Sequence, residues 1–236
     1  LSSITTPIAI GYIVNTTGSF NGALVYVGIH AAVAIVGDRI AEVGAERDLE
    51  SRWSPRARLD ARGGLLVPGF VDAHSHPVFV GTREEEFELR TRGATYVEIA
   101  QQGGGILSSV RGVRAASEEQ LLVLLEQRLE RFLAHGTTTL EAKSGYGLTL
   151  ADELKSLRVL AQAKQRQPVE LVSTFLGAHD YPLEYRERKS AYVDLVVHEM
   201  LPAVAESRLA QGVDVFVESH VFDVEAGRRI LLKARE

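Results

Sequence analysis

The sequence predicts an α/β fold: about the first four units of a (β/α)8 barrel of the TIM type, preceded by a small β part. Three observations predict it. From Pro68 onward, short apolar segments alternate with segments of helical periodicity, the pattern of a parallel sheet covered by helices. The polar groups that could carry chemistry follow the strand C-termini: His74 and His76, Lys143-Ser144-Gly145-Tyr146, Gly177-Ala178-His179 and Glu218-Ser219-His220. That rim is where barrel enzymes build their sites. A doubly wound sheet would use the same rim, but no Gly-x-Gly-x-x-Gly opens a helix.

Residues 1–67 read as an incomplete, sandwich-like β part. Ala32–Val36 and Arg39–Val43 are short apolar strands joined by Gly37-Asp38, a two-residue hairpin signal, and Leu59–Val67 adds a strand interrupted at Arg62-Gly63-Gly64. Residues 68–236 are the barrel part. Its first strand is Gly69–His74, read as buried because it is nearly all apolar. A polar loop (Gly81–Arg92) and a Gly-rich loop (Gln101–Gly105) follow. The helix Glu118–Ala134 opens with the capping box Ser117-Glu118-Glu119-Gln120 and carries Leu121, Leu125, Leu129 and Phe132 on one stripe, with His135-Gly136 closing it. Strand two is Thr137–Ala142. Helix two runs from about Thr149 to about Gln165 with Leu154, Leu157, Leu160 and Ala161 inward; strand three is Val169–Leu176. Helix three covers about Ser190–Ala210, strand four is Val213–Val217, and a last helix starts at Val224.

The stretch from Pro68 to Glu236 falls well short of the about 250 residues of a complete barrel. Leu1 opens the chain, Met200 is the only methionine, and the last helix ends without Gly, Asn or Pro. These features predict a piece of a longer polypeptide.

The 236 residues are 45% apolar and 24% charged, which predicts a globular protein with a large core. A net charge of −5 offers no basic face to nucleic acid or an anionic membrane. With no cysteine there is no disulfide framework, and a metal would have to use nitrogen and oxygen ligands. The apolar run Ala31–Gly37 is far too short to span a membrane, and no basic residue precedes Arg39, so neither a span nor a charged leader is read; cytoplasm is the expected compartment. Asn15-Thr16-Thr17 matches a glycosylation sequon, which in that compartment is chance.

The chemistry centres on Pro68-Gly69-Phe70-Val71-Asp72-Ala73-His74-Ser75-His76. On a strand, Asp72, His74 and His76 share a face, and two neutral imidazoles there can grip one divalent ion. The alternative is a pair of hydrogen-bonded structural histidines. A hydrolytic zinc needs three or four protein ligands, and no later segment of this chain supplies an evident third. Arg83 could clamp a substrate carboxylate or pair with its neighbours Glu84, Glu85 and Glu86. Tyr146, between two glycines, presents a hydroxyl at the rim or is a surface turn residue. His179 could donate a hydrogen bond, exchange a proton or be a satisfied rim histidine. Lys143 is expected to pair with Glu141. His30, His135 and His198 are expected to be a loop residue, a helix C-terminal residue and a structural helix residue. Glu218 is either functional or a neighbour that buffers His220.

The His-x-His strand resembles the strand-one signature of the amidohydrolase superfamily, metal-dependent barrels that hydrolyse cyclic amides. Within it, Gly81-Thr82-Arg83-Glu84, Gln102–Ser108, Arg114–Ser117, Gly136–Thr139, Lys143–Leu148 and Leu171–His179 resemble the imidazolonepropionase family. The resemblance runs from about Asp60 to the last residue. It implies hydrolysis of 4-imidazolone-5-propanoate to N-formimino-L-glutamate in histidine degradation. It also implies zinc (or iron), one ion per subunit, on His74 and His76; substrate binding by Arg83, Tyr146 and His179; and a homodimer. The family's third histidine ligand, catalytic glutamate and metal-binding aspartate belong to later strands, so no catalytic residue is expected in this chain. His220 departs from the family's small residue, leaving a crowded rim or a substitute ligand open. Two alternatives stand beside this reading: a hydantoinase-like or dihydroorotase-like cyclic amidohydrolase, against which the missing lysine near Glu218 counts, and a non-catalytic relative or fragment.

Overall fold

The computed structural model describes residues 23–27, 31–36, 39–61, 67–95, 98 and 104–236. Asn15-Thr16-Thr17, His30, the Gly37-Asp38 turn, Arg62-Gly63-Gly64 and Gln101–Gly103 lie outside the described residues. The chain divides into two compact units. One comprises Leu1–Asp72, Glu130–Leu140 and Pro168–Glu170; the other comprises Ala73–Leu129, Glu141–Gln167 and Leu171–Glu236.

In the first unit, β1 (Ala23–Val27), β2 (Ala31–Val36), β3 (Arg39–Gly44) and β4 (Ala57–Asp60) form a sheet in the order β3-β2-β1-β4. β1 and β2 pair antiparallel from Ala23 opposite Ile35 to Val27 opposite Ala31, while β4 joins β1 in parallel. The ladder between β2 and β3 slips at Ala34/Ile35. A short helix α1 (Glu46–Arg52) intervenes between β3 and β4; its Leu49 closes a core with Ala32 and Ala34, and Trp53 packs on it. Trp53 Nε1 donates to Glu42 Oε2 at 2.9 Å, which satisfies the one polar atom of that ring. Neither β1 nor α1 is among the elements expected from the sequence. Of the expected strand Leu59–Val67, Leu59 and Asp60 fall in β4, which starts at Ala57 and pairs with β1; Ala61 and Val67 are not strand, and residues 62–66 lie outside the described residues.

The second sheet orders β5 (Phe70–Ser75), β6 (Thr137–Lys143), β7 (Glu170–Ala178) and β8 (Gly212–Val215) as they come in the chain. It is parallel, as strand–helix–strand connections require. The helices after β5 are α2 (Glu84–Thr91), α3 (Ile106–Ala115) and α4 (Glu118–Ala134); α5 (Leu150–Lys164) follows β6. After β7 come α6 (Lys189–Leu195), a π-helical turn (Val196–Met200) and α7 (Leu201–Ser207), and after β8 comes α8 (Val224–Ala234).

The capping box forms as read: Ser117 N donates to Gln120 Oε1 at 3.0 Å and Gln120 N to Ser117 Oγ at 3.2 Å. Leu121, Leu125 and Leu129 are buried. Gly69 meets Thr138 so closely that an added Cβ would lie 2.2 Å from its Oγ1, so only glycine can open this strand.

Four expectations need correction. Glu84–Thr91 is helix rather than loop, since three glutamates in its first turn and Arg90 in its last complement the helix dipole. The expected helix three is interrupted at Val196–Met200, where Pro202 lacks the N–H that would bond the His198 carbonyl, and Arg208 ends it at φ +54. β5 is not buried: among the described residues it is an edge strand paired with β6 alone, and Phe70 and Val71 are each 62% exposed. The inward face of α5 is not the expected leucine stripe alone: Glu153, Ser156, Leu157, Val159, Leu160 and Ala163 are buried.

Candidate functional site

His74, His76, Tyr146 and His179 belong to the second unit, at or just past the C-terminal ends of its strands, and Arg83, in the same unit, stands at the start of α2. β5 ends at Ser75, so His74 is its penultimate residue and His76 the first residue beyond it. Their rings lie 5.5 Å apart, edge to face. β6 ends at Lys143 and runs into the Ser144–Leu148 loop, while β7 ends at Ala178, one residue before His179. His76 and His179 stack with centroids 4.6 Å apart, and Tyr146 leans on both, 5.4 Å from His76 and 5.2 Å from His179. Three residues distant in sequence thus form one aromatic cluster.

The loop carbonyls orient both stacked rings. His76 Nδ1–H donates to the Ser144 carbonyl at 3.3 Å, and His179 Nδ1–H to the Gly145 carbonyl at 2.9 Å. A carbonyl only accepts, so each Nδ1 carries the proton and each Nε2 is left with its lone pair. Burial, together with the neighbouring His179, lowers His76 to about 4. Burial also lowers His179, although the Gly145 carbonyl pulls the other way. Burial raises the Tyr146 phenol, partly offset by the positive charge of Arg83. Arg83 caps the start of α2, half exposed, with a guanidinium nitrogen 3.8 Å from Glu86 Oε2. The ion pair is therefore long and leaves the guanidinium at the surface near Tyr146.

Lys143 pairs with Glu141, as expected, and also with Asp214, which the sequence did not single out. Its buried ammonium donates to Glu141 Oε1 at 2.8 Å and Asp214 Oδ2 at 2.9 Å; Thr174 Oγ1 adds a bond to the same glutamate oxygen. Burial opposes the charge on Lys143, but the two carboxylates outweigh it and raise its affinity for the proton. Sequence reading also missed Glu153. It is wholly buried and accepts from the amides of Gly145, Gly147 and Leu148; burial still drives its carboxyl upward against those donors. The available signal was an acid in the apolar stripe of α5, one turn before Leu157.

The remaining histidines stand apart. His135 Nδ1 bonds the Arg131 carbonyl at the end of α4, as expected. Exposed His198 meets an Arg229 nitrogen at 3.2 Å. His220 is exposed, its ring 6.3 Å from Phe216, which in turn lies 6.1 Å from His179. The Glu218 carboxyl is held low by its hydrogen bonds to Ser219. Among the described residues no group of three or more His, Cys, Asp or Glu is arranged to hold a metal ion, and no helix is long and apolar enough to cross a membrane. The donor chemistry of His74 and His76 does fit zinc or iron: both are nitrogen donors, and His76 is neutral with its second nitrogen tied to a carbonyl, as metal-ligating imidazoles are. Two such groups make part of a ligand set.

No family model matches the chain. Individual proteins do. Imidazolonepropionase of Symbiobacterium thermophilum is 53% identical over 209 residues, covering 86% of this chain and 49% of that protein. The imidazolonepropionase of Brevibacillus brevis is 50% identical over 196 residues (81% of this chain, 46% of that protein), and that of Myxococcus xanthus 51% over 207 (87% and 49%). Among solved structures, N-isopropylammelide isopropylaminohydrolase from Burkholderia multivorans covers 91% of this chain and 56% of its own at 18% identity and a TM-score of 0.48. N-acetyl-D-glucosamine-6-phosphate deacetylase from Mycobacterium smegmatis covers 90% and 47% at 20% identity and a TM-score of 0.39. Likeness at those scores carries no argument. The sequence matches do: over most of its own length this chain is a relative of the imidazolonepropionases, and it spans about half of theirs.

Proposed function

We propose that this chain supplies the substrate-facing half of a metal-dependent hydrolase that opens 4-imidazolone-5-propanoate to N-formimino-L-glutamate, a step of histidine degradation in the cytoplasm. The observation that carries the reading is the clustering of His74, His76, Tyr146 and His179 at the strand ends, in a chain related to imidazolonepropionases. In this reading residues 68–236 are the first four units of a (β/α)8 barrel and residues 1–67 a small β domain, and the working protein is a homodimer.

His74 and His76 would hold one zinc or iron ion, which supplies Lewis acidity toward water and the ring carbonyl. Arg83 matches the propanoate of the substrate through paired hydrogen bonds. Tyr146, protonated because burial disfavours its anion, and His179, with an open Nε2, bind the polar edge of the ring. The reaction adds water across the ring amide: the C–N bond breaks, oxygen joins the acyl carbon and a proton goes to the departing nitrogen. The group that moves that proton, and the remaining metal ligands, belong to the part of the relatives' length that this chain does not match.

The test is turnover by the full-length protein of imidazolonepropionate against hydantoin and dihydroorotate. Turnover of the first alone is expected, and Arg83→Ala should raise KM by on the order of 10- to 100-fold with a smaller change in kcat. Hydantoin or dihydroorotate as the better substrate would overturn the assignment. The 236-residue chain alone is expected to show no turnover, because two imidazoles do not complete a hydrolytic site.

A further inference from the structure

The carboxylate of Glu153 sits at 0% exposure on the inner face of α5. A leucine would satisfy that helical stripe, and a buried acid is costly unless its lone pairs are filled. They are filled from one source, the loop after β6. Oε2 accepts from Gly145 N at 3.0 Å, and Oε1 accepts from Gly147 N at 2.8 Å and Leu148 N at 2.9 Å. Drawing three amide N–H groups inward sets the path of the same loop, and two of its carbonyls are the acceptors of His76 and His179. Other bonds brace the outer side: Arg114 Nε donates to the Gly147 carbonyl at 2.8 Å, and Tyr192 OH to the Leu148 carbonyl at 3.3 Å. Ser144 Oγ accepts from Leu176 N at 3.0 Å and ties the loop to β7.

We infer that Glu153 is a positioning residue: by gathering the amides of Gly145, Gly147 and Leu148 it holds the Ser144 and Gly145 carbonyls that set the ring plane and tautomer of His76 and His179. Both rings then present a bare Nε2 on the side away from the loop. The functional weight of this device rests on the reading of His76 and His179 as site residues. A carboxylate that merely anchored a turn would leave imidazole tautomers unaffected.

The experiment is long-range proton–nitrogen NMR on this chain with 15N-labelled histidine, near neutral pH, in wild type and Glu153→Gln. Glutamine keeps the size but puts an NH2 group against an amide that needs an acceptor. The expected result is a shift of the Nε2 resonances of His76 and His179 from the unprotonated position toward the average of two tautomers. His135 and His198, outside the network, and the far-ultraviolet circular dichroism should stay unchanged. Unchanged tautomers at both rings in folded E153Q would overturn the inference. If E153Q does not fold, amide exchange in the wild type decides: Gly145, Gly147 and Leu148 should exchange as slowly as the β7 core, and exchange as fast as the exposed Gly81–Thr82 segment would overturn it. Zinc titration of the full-length wild-type protein separates the two readings. A tautomer shift in E153Q with no zinc binding by the full-length wild type would uphold the positioning role while removing the functional assignment.

Discussion

The imidazoles of His76 and His179 lie face to face, 4.6 Å between centroids and 13° between planes, although they follow different strands. Two protonated rings at that distance would repel, and burial already disfavours the charge on each. Both are therefore neutral lone-pair donors at ordinary pH. That is the state a metal ligand or a hydrogen-bond acceptor for a substrate N–H requires.

His76→Ala and His74→Ala should each weaken zinc binding by at least about 100-fold, since each removes one of two first contacts to the ion. Calorimetric titration of zinc into the full-length protein measures it. Equal affinity in wild type and both variants would place the metal elsewhere.

Gly145→Ala should cost about 1–3 kcal/mol. Gly145 has φ +106, and an added Cβ would lie 3.0 Å from both His179 Nδ1 and the Leu176 carbonyl oxygen. Urea unfolding reads the loss, and the His179 ring resonances should move in the same variant.

Arg128→Lys should destabilise by about 1–2 kcal/mol. One guanidinium nitrogen donates to the carbonyls of Pro77 at 3.0 Å and Phe79 at 2.8 Å, and the group lies 3.5 Å above the centre of the Phe79 ring. Lysine keeps the charge but loses the planar stack, so the segment after His76 should loosen. A denaturation midpoint unchanged from wild type would contradict this account.

Asp214→Asn should flatten the acid side of the stability profile. Burial would raise the Asp214 carboxyl, but the Lys143 hydrogen bond, the Val215 amide and the Lys143 charge together hold it below its ordinary value. Because the folded form binds the proton less readily than the unfolded chain, this stability is present above about pH 4 and fades as pH falls through the lower folded value. Melting temperatures from about pH 6 to about pH 2 should fall more steeply in wild type than in the variant.

Much of the fold was legible because its signals are local. The capping box at Ser117–Gln120 is closed by residues three apart, and between helical stripes Glu170–Ala178 stands out as a mostly apolar run and Thr137–Lys143 by its β-branched threonines. α1 and α3 were not legible: α1 is seven residues long, and α3 follows a Gly-rich loop that masks its start. The same limit applies to the site. The spacing of His74 and His76 names a pair of candidate ligands, and Arg83, Tyr146 and His179 come from motif blocks.

Residue identity and spacing alone were enough for the class of fold, for the His-x-His pair at a strand end and for the family likeness, since each is written in contiguous sequence. Three-dimensional packing alone decided that His76 stacks on His179, that Asp214 completes the pairing of Lys143, and that a buried acid in the first turn of α5 accepts from three amides of the loop before it. Hydrogen bonds and ring contacts across strands depend on sheet order and side-chain burial, and neither is encoded at any fixed distance along the chain.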